Sequence, residues 1–154
     1  MASFQLPRAR PRTAAAVLAT ILTALTLAGA APAWAYGSGG SSVVSWINED
    51  RAWAGVAPLE SAGDLRWVAS SWASELASGG YLAHNPSLPY EVDGWYVLGE
   101  NVGRGPSVGA VYDAWLNSGR HWANIADPSY NQVGVGVAQD GYGDVYVVAV
   151  FAGR

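Results

Sequence analysis

Val133-Gly134-Val135-Gly136-Val137-Ala138-Gln139-Asp140-Gly141-Tyr142-Gly143-Asp144-Val145-Tyr146-Val147-Val148-Ala149-Val150-Phe151 is the stretch on which the fold turns. Its first third alternates valine with glycine or alanine, the period-two spacing of a strand with one nearly bare face. Glycines in such a position let a helix or a second backbone come close. Asp140-Gly141 and Gly143 mark a turn, and Val145 to Phe151 is apolar on both faces, as an interior strand is. The segment therefore predicts an antiparallel hairpin whose second strand is covered on both sides.

Upstream, three runs carry helical spacing. Leu65, Val68, Ala69, Trp72, Ala73 and Leu76 follow the i, i+3, i+4, i+7 pattern, with Ser61 or Asp64 available to cap the start and Gly79-Gly80 to end it. Val43, Val44, Ile47, Arg51 and Ala54 give a shorter helix stopped by Gly55 and Pro58. Ser107 opens a third, with Val108, Val111, Tyr112, Trp115 and Leu116 on one face and Ser118-Gly119 at its end. Tyr81 to Trp95 reads as a loop carrying Pro86 and Pro89, and Tyr96 to Val102 as a short strand interrupted by Gly99-Glu100-Asn101. Helices first, a strand, a helix and a closing hairpin indicate an α+β domain, with helices packed on a small, mostly antiparallel sheet.

The front of the chain reads differently. Arg8, Arg10 and Arg12 precede an uncharged run from Ala14 to Ala30, and Ala33-Trp34-Ala35 supplies a small-x-small cleavage pattern. Residues 1–35 are expected to be a signal peptide, 36–42 a flexible Gly/Ser leader and 43–154 the folded domain. The apolar run is too short and too rich in Ala and Thr for a stable membrane anchor. A secreted protein, extracellular or associated with the cell envelope, is the expectation. From Tyr36 onward there are five arginines, no lysine and twelve acidic residues. That sign repels phosphate backbones and anionic lipid, so nucleic acid is excluded and neutral or cationic partners are favoured. With no cysteine, an exported domain of this size is held by packing, to which its many Trp and Tyr rings are suited. Nothing in the sequence requires more than a monomer.

The chain has two histidines, His84 and His121, each placed after the end of a predicted helix in a polar, glycine-flanked setting. Glu100 lies between them in an otherwise apolar strand, where an ionised carboxylate is costly unless paired. Convergence of His84, Glu100 and His121 would give a proton-sharing cluster, or a ligand set for a divalent metal such as zinc with an open fourth position. The alternative is that each residue only satisfies nearby backbone. Gly105-Pro106-Ser107-Val108-Gly109 matches a nucleophile-elbow pattern, but Ser107 is better placed as a helix N-cap.

Taken in order, several motifs resemble the CAP superfamily, also known as the SCP-like or cysteine-rich secretory, antigen 5 and pathogenesis-related 1 proteins. They are Ile47-Asn48 with Arg51, Gly55 and Pro58-Leu59; Leu65, Ala69, Trp72-Ala73, Leu76-Ala77, Gly80 and His84; Gly99-Glu100-Asn101; Ala114-Trp115 with Ser118, His121 and Asn124-Ile125; and Gly134-Val135-Gly136. The resemblance implies an αβα sandwich of the cysteine-free bacterial type. It also implies a cleft lined by His84, Glu100 and His121, with Asn85, Asn101, Asn117 and Ser118 as neighbouring ligand-binding groups. Family members with the full cleft carry a second glutamate before the second histidine. Asn117 or Ser118 stands at that position, and neither acts as a base near neutral pH.

Two functions follow. One is a non-catalytic extracellular binding module, whose cleft holds a divalent metal and whose surface binds a small amphiphile or cell-envelope component. In it Trp46, Trp67, Trp72 and Trp115 belong to the core, and Trp53, Trp95 and Trp122 are candidate ligand platforms. The other is a metal-dependent hydrolase of peptide or cell-wall bonds, with zinc on the two histidines and Glu100 as third ligand or general base.

Overall fold

The computed structural model describes residues 37–154, with side chains from Gly39 onward. The expected signal peptide lies outside the described residues. Nine elements follow in order: α1 (Gly37–Trp53), β1 (Glu60–Ser61), α2 (Gly63–Gly79), α3 (Leu88–Glu91), β2 (Val97–Gly105), α4 (Val108–Leu116), α5 (Gly119–Ile125), β3 (Gln132–Gln139) and β4 (Val145–Gly153). The strands form one sheet in the order β1-β3-β4-β2. β4 pairs antiparallel with both neighbours, and the two-residue β1 adds a parallel edge to β3.

Central β4 explains the layering. Its odd residues, Val145, Val147, Ala149 and Phe151, pack with Val43 and Ile47 of α1, Val111, Tyr112 and Trp115 of α4, and Ile125 of α5. Its even residues, Tyr146, Val148, Val150 and Ala152, pack with Leu65, Val68, Ala69, Trp72 and Leu76 of α2 and Leu88 of α3. Successive side chains point to opposite faces of a strand, so a strand apolar at every position fits only between two layers. The result is the expected αβα sandwich.

The Val-Gly alternation of β3 has a matching cause. Val133 and Val135 join the α1 side, while Gly134 and Gly136 face α2. A Cβ on Gly134 would run into the backbone of Leu65 and Arg66, and one on Gly136 into that of Ala69 and Ser70. Bare glycine lets α2 lie directly against the sheet.

Several local expectations change. Helix α1 starts at Gly37, inside the stretch expected as a flexible leader. Its small residues serve close packing: a Cβ on Gly40 would come within 2.9 Å of the Val135 carbonyl, and one on Gly39 within 3.5 Å of Val108. The N-cap of α2 is Ala62, with no side-chain cap, rather than Ser61 or Asp64. Asp64 instead pairs with Arg154. Strand β2 runs unbroken through Gly99-Glu100-Asn101, paired with β4 along its whole length. The polar segment after Gly119 forms α5, and the proline-rich loop contains α3, with Pro89 in its first turn. Ser107 caps α4 as expected, accepting from the Ala110 N–H at 3.2 Å.

Among the tryptophans, Trp72 and Trp115 are core, Trp46 is partly buried against it, and Trp53 and Trp95 are exposed. Trp67 and Trp122 reverse their expected roles. Trp67 is 68% exposed on the outer face of α2, whereas Trp122 is buried because its polar-looking segment folds into α5 over the sheet. No helix of the described residues is long and apolar enough to cross a membrane.

Candidate functional site

Gly80 ends α2 in a left-handed conformation, with φ of 68°, and its N–H takes the Leu76 carbonyl. The chain then returns along the sheet, fixed by the Trp72 indole N–H donating to the Ala83 carbonyl at 3.0 Å. This return carries His84 and Asn85 to the middle of β2. His84 Nδ1 lies 2.6 Å from Glu100 Oε1, and the Asn85 backbone N–H donates to the same oxygen at 3.0 Å. The Glu100 side chain is 4% exposed and that of His84 is 71% exposed. A buried carboxylate therefore orients an imidazole that faces water. With Nδ1–H directed at the carboxylate, the neutral ring keeps Nε2 as its acceptor.

His121 reaches the same region from the first turn of α5, half-buried, its ring 6.1 Å from that of Trp115. Its position is set by amides. Asn101, fully buried, donates from Nδ2 to the His121 carbonyl at 3.1 Å. Asn124, one turn further along α5, donates to Asn101 Oδ1 at 2.9 Å and to the Glu100 carbonyl at 3.1 Å. These bonds join α5 to β2 directly behind Glu100. Gly99 is bare for the same reason, since a Cβ there would strike the Tyr130 hydroxyl and crowd Asn124. His121 Nδ1 and Glu100 Oε2 are both buried without a hydrogen-bond partner. Gln132 Oε1 is a further such atom among the described residues.

Burial pushes the Glu100 carboxyl above the usual carboxylate range. The hydrogen bonds from His84 and the Asn85 N–H oppose this, and the charge of Glu91 reinforces it. Burial lowers His121, and the charge of His84 lowers it further. The three sequence-predicted residues thus share one region of the molecule.

Glu91 is the functional-site residue that sequence reading missed. It lies on α3, where Asn85 Nδ2 donates to its Oε2 at 2.8 Å while Asn85 Oδ1 accepts from the Ser87 N–H. Asn85 therefore links two carboxylates, Glu100 through its backbone and Glu91 through its side chain. Ser87 followed by Pro89 was a readable helix-start signal, but no local pattern pointed Glu91 towards Glu100. The second carboxylate thus arrives from α3 and not from the end of α4. There, Asn117 turns back to the Asp113 carbonyl at 2.8 Å, and Ser118 stands at the N-cap position of α5 without a side-chain cap bond. Among the described residues neither is hydrogen-bonded to the histidines or to Glu100, whereas the Asn85 N–H donates to Glu100 and Asn101 to the His121 carbonyl.

Among the described residues, no three His, Cys, Asp or Glu side chains are gathered closely enough to hold a metal ion. A His84/Glu100/His121 ligand triad is therefore not formed. Glu100 bonded to Nδ1 fits another role, the carboxylate that orients a metal-binding histidine from behind.

The αβα layering has counterparts in solved structures. An outer surface protein from Borrelia burgdorferi superposes with a TM-score of 0.71 at 20% identity, over 77% of this chain and 95% of that one. An extracellular protein containing an SCP domain from Bacillus anthracis gives 0.68 at 20% identity, over 77% of this chain and 41% of that one. A cysteine-rich secretory protein from Staphylococcus aureus gives 0.65 at 22% identity, over 77% and 39%. The chain thus spans about two fifths of the length of the latter two. At these identities the likeness is one of fold. No curated protein matches the chain significantly in sequence. The model of the cysteine-rich secretory protein family, CAP, matches residues 44–151, and the chain belongs to that family.

Proposed function

We propose that this protein is a non-catalytic extracellular binding module, whose cleft takes a divalent cation such as zinc on His84 and His121 and whose rim engages an amphiphilic or cell-envelope component. The observation that carries this reading is the 2.6 Å contact between His84 Nδ1 and Glu100 Oε1. It fixes the ring and leaves Nε2 as the coordinating atom, while Glu100 stays behind the ligand as orienting carboxylate. A bound cation would supply charge and coordination sites for a ligand. The chain's own contribution is to hold two imidazoles and exclude water from Glu100. Tyr90, Trp95 and Tyr96 are exposed and offer ring faces to a partner. The expected export signal and the extracellular or surface descriptions of the structural relatives support the location.

Titration calorimetry with zinc tests the cleft. The wild type is expected to bind one ion, with affinity lowered at least roughly tenfold in His84→Ala and in His121→Ala and lowered less in Glu100→Gln, as for loss of an orienting group. Equal affinity in both histidine variants would remove the metal from this reading. Glu91 beside Glu100 favours a second reading, metal-assisted hydrolysis, because two carboxylates of unlike environment can divide acid and base roles. Zinc-dependent cleavage of casein or purified cell wall, abolished in Glu100→Gln with folding intact, would establish that reading in place of the first.

A further inference from the structure

A concave surface lined by neither histidine lies between the C-terminal end of α2 and the tip of the β3–β4 hairpin. It encloses about 550 Å³ and is lined by Ser74, Ser78, Gly79 and Gly80 on one wall and by Asp140 and Tyr142 on the other. The volume falls within the range of small-ligand sites. Both walls are set in advance. Asp140 Oδ1 accepts from the Tyr142 and Asp144 N–H groups at 2.9 and 3.0 Å, and Arg104 pairs with both aspartates. The turn is thereby rigid and the Asp140 charge is met.

The chemistry offered is specific. Tyr142, at the turn tip, is 96% exposed, leaving a whole ring face available for stacking. The Ser74 and Ser78 hydroxyls donate to the Ser70 and Glu75 carbonyls, so their oxygens remain as acceptors towards a ligand. Beyond the Leu76 carbonyl, which Gly80 takes, the last carbonyls of α2 lie past the helix ladder and add acceptors with partial negative charge. Gly80 and Gly141 have open space where a side chain would stand, and no cationic side chain lines the cleft. An acceptor-rich wall facing one aromatic platform suits a ligand with an apolar C–H face and many O–H or N–H donors, and disfavours an anion.

We propose that this cleft is a carbohydrate-binding subsite for a short stretch of neutral or amine-bearing hexosamine chain. One pyranose ring stacks on Tyr142 and its hydroxyl or amine groups donate to Ser74, Ser78 and the end of α2. The assignment is independent of the histidine cleft.

The test is calorimetry and amide chemical-shift mapping with tri-N-acetylchitotriose, its deacetylated trimer and spermidine. The acetylated trimer is expected to bind, with shifts centred on Gly79, Gly80 and Gly141. Affinity should fall roughly tenfold in Tyr142→Ala, as for loss of a stacking ring, vanish in Ser74→Arg, which fills the cleft, and stay unchanged in His84→Ala. Both altered positions are solvent-exposed, and the shift map needs the wild type alone. Absence of binding by both trimers, binding that survives Tyr142→Ala and Ser74→Arg, or shifts centred on His84 and Glu100 would each overturn the proposal. Binding of spermidine without either trimer would replace it with a simple amine site.

Discussion

Arg51 is fully buried and meets backbone carbonyls in place of a carboxylate. Nε donates to Ala57 at 2.7 Å, Nη1 to Ile125 and Asp127 at 2.9 and 2.8 Å, and Nη2 to Tyr130 at 3.2 Å. One planar guanidinium thus ties α1 to the segment between α5 and β3. Burial lowers its pKa and Asp127 opposes the shift, yet an arginine remains charged in proteins. Removing the head leaves four carbonyls without a donor, so Arg51→Ala is expected to cost roughly 3–5 kcal/mol. Lysine, lacking the rigid fork, should recover less than half of that. Urea unfolding of the two variants checks both figures; near-wild-type stability of Arg51→Ala would show that water replaces the fork. The sequence placed Arg51 on an apolar helix face without showing what it would bond, because all four carbonyls come from other segments.

At the scale of elements, the fit of helices to the sheet is governed by glycine. Gly136→Ala puts a methyl group into the backbone of α2 at Ala69 and Ser70, where nothing flexible can yield. A loss of roughly 1–3 kcal/mol or more is expected, against a gain of roughly a few tenths for an alanine at exposed, helical Gly63, which has open space around it. Thermal melts of the pair separate packing from helix propensity. Coupling of α5 to β2 is polar instead. Asn101→Ala takes the amide donor from the His121 carbonyl and one of the two bonds of the Asn124 amide, and should cost about 1–3 kcal/mol. It should also weaken zinc binding, although Asn101 touches neither imidazole. Unchanged zinc affinity in a destabilised Asn101→Ala would show that α5 holds His121 without that bond.

The whole molecule feels two opposed titrations. Glu100 has a folded pKa above its ordinary 4.5, so the folded state keeps that proton to higher pH than the unfolded chain does. Stability from this group is full below the ordinary value and is lost as pH rises through the raised one. His121 has a folded pKa below its ordinary 6.5, so the unfolded chain protonates first as pH falls, and stability declines towards acid. Glu100→Gln should flatten the loss on raising pH, while His121→Gln should flatten the loss below about pH 6.5. Urea midpoints measured from pH 4 to 8 test both, and identical profiles for wild type and variants would remove the two groups as the source. With no cysteine, none of this stability passes through a disulfide.

Patterns that repeat within one element were legible in the sequence. The helical spacing of Leu65 to Leu76, the Val-Gly alternation of β3 and the two-sided apolar run of β4 report burial of their own faces, which a chain encodes at fixed period. So the α+β class could be anticipated from these patterns, while the αβα layering and the grouping of His84, Glu100 and His121 were expected only from the family resemblance of the motifs taken in order. The tertiary structure decided what depends on partners distant in sequence. It gave the carboxylate of Glu100 to His84 and brought Glu91 to the site through Asn85 while turning Asn117 away. It also folded the polar run around His121 into a helix that buries Trp122, and packed the Gly-rich start of α1 against β3. A residue's type and spacing determine which contacts it can make. Which contacts it does make depends on the surfaces that meet once the layers close.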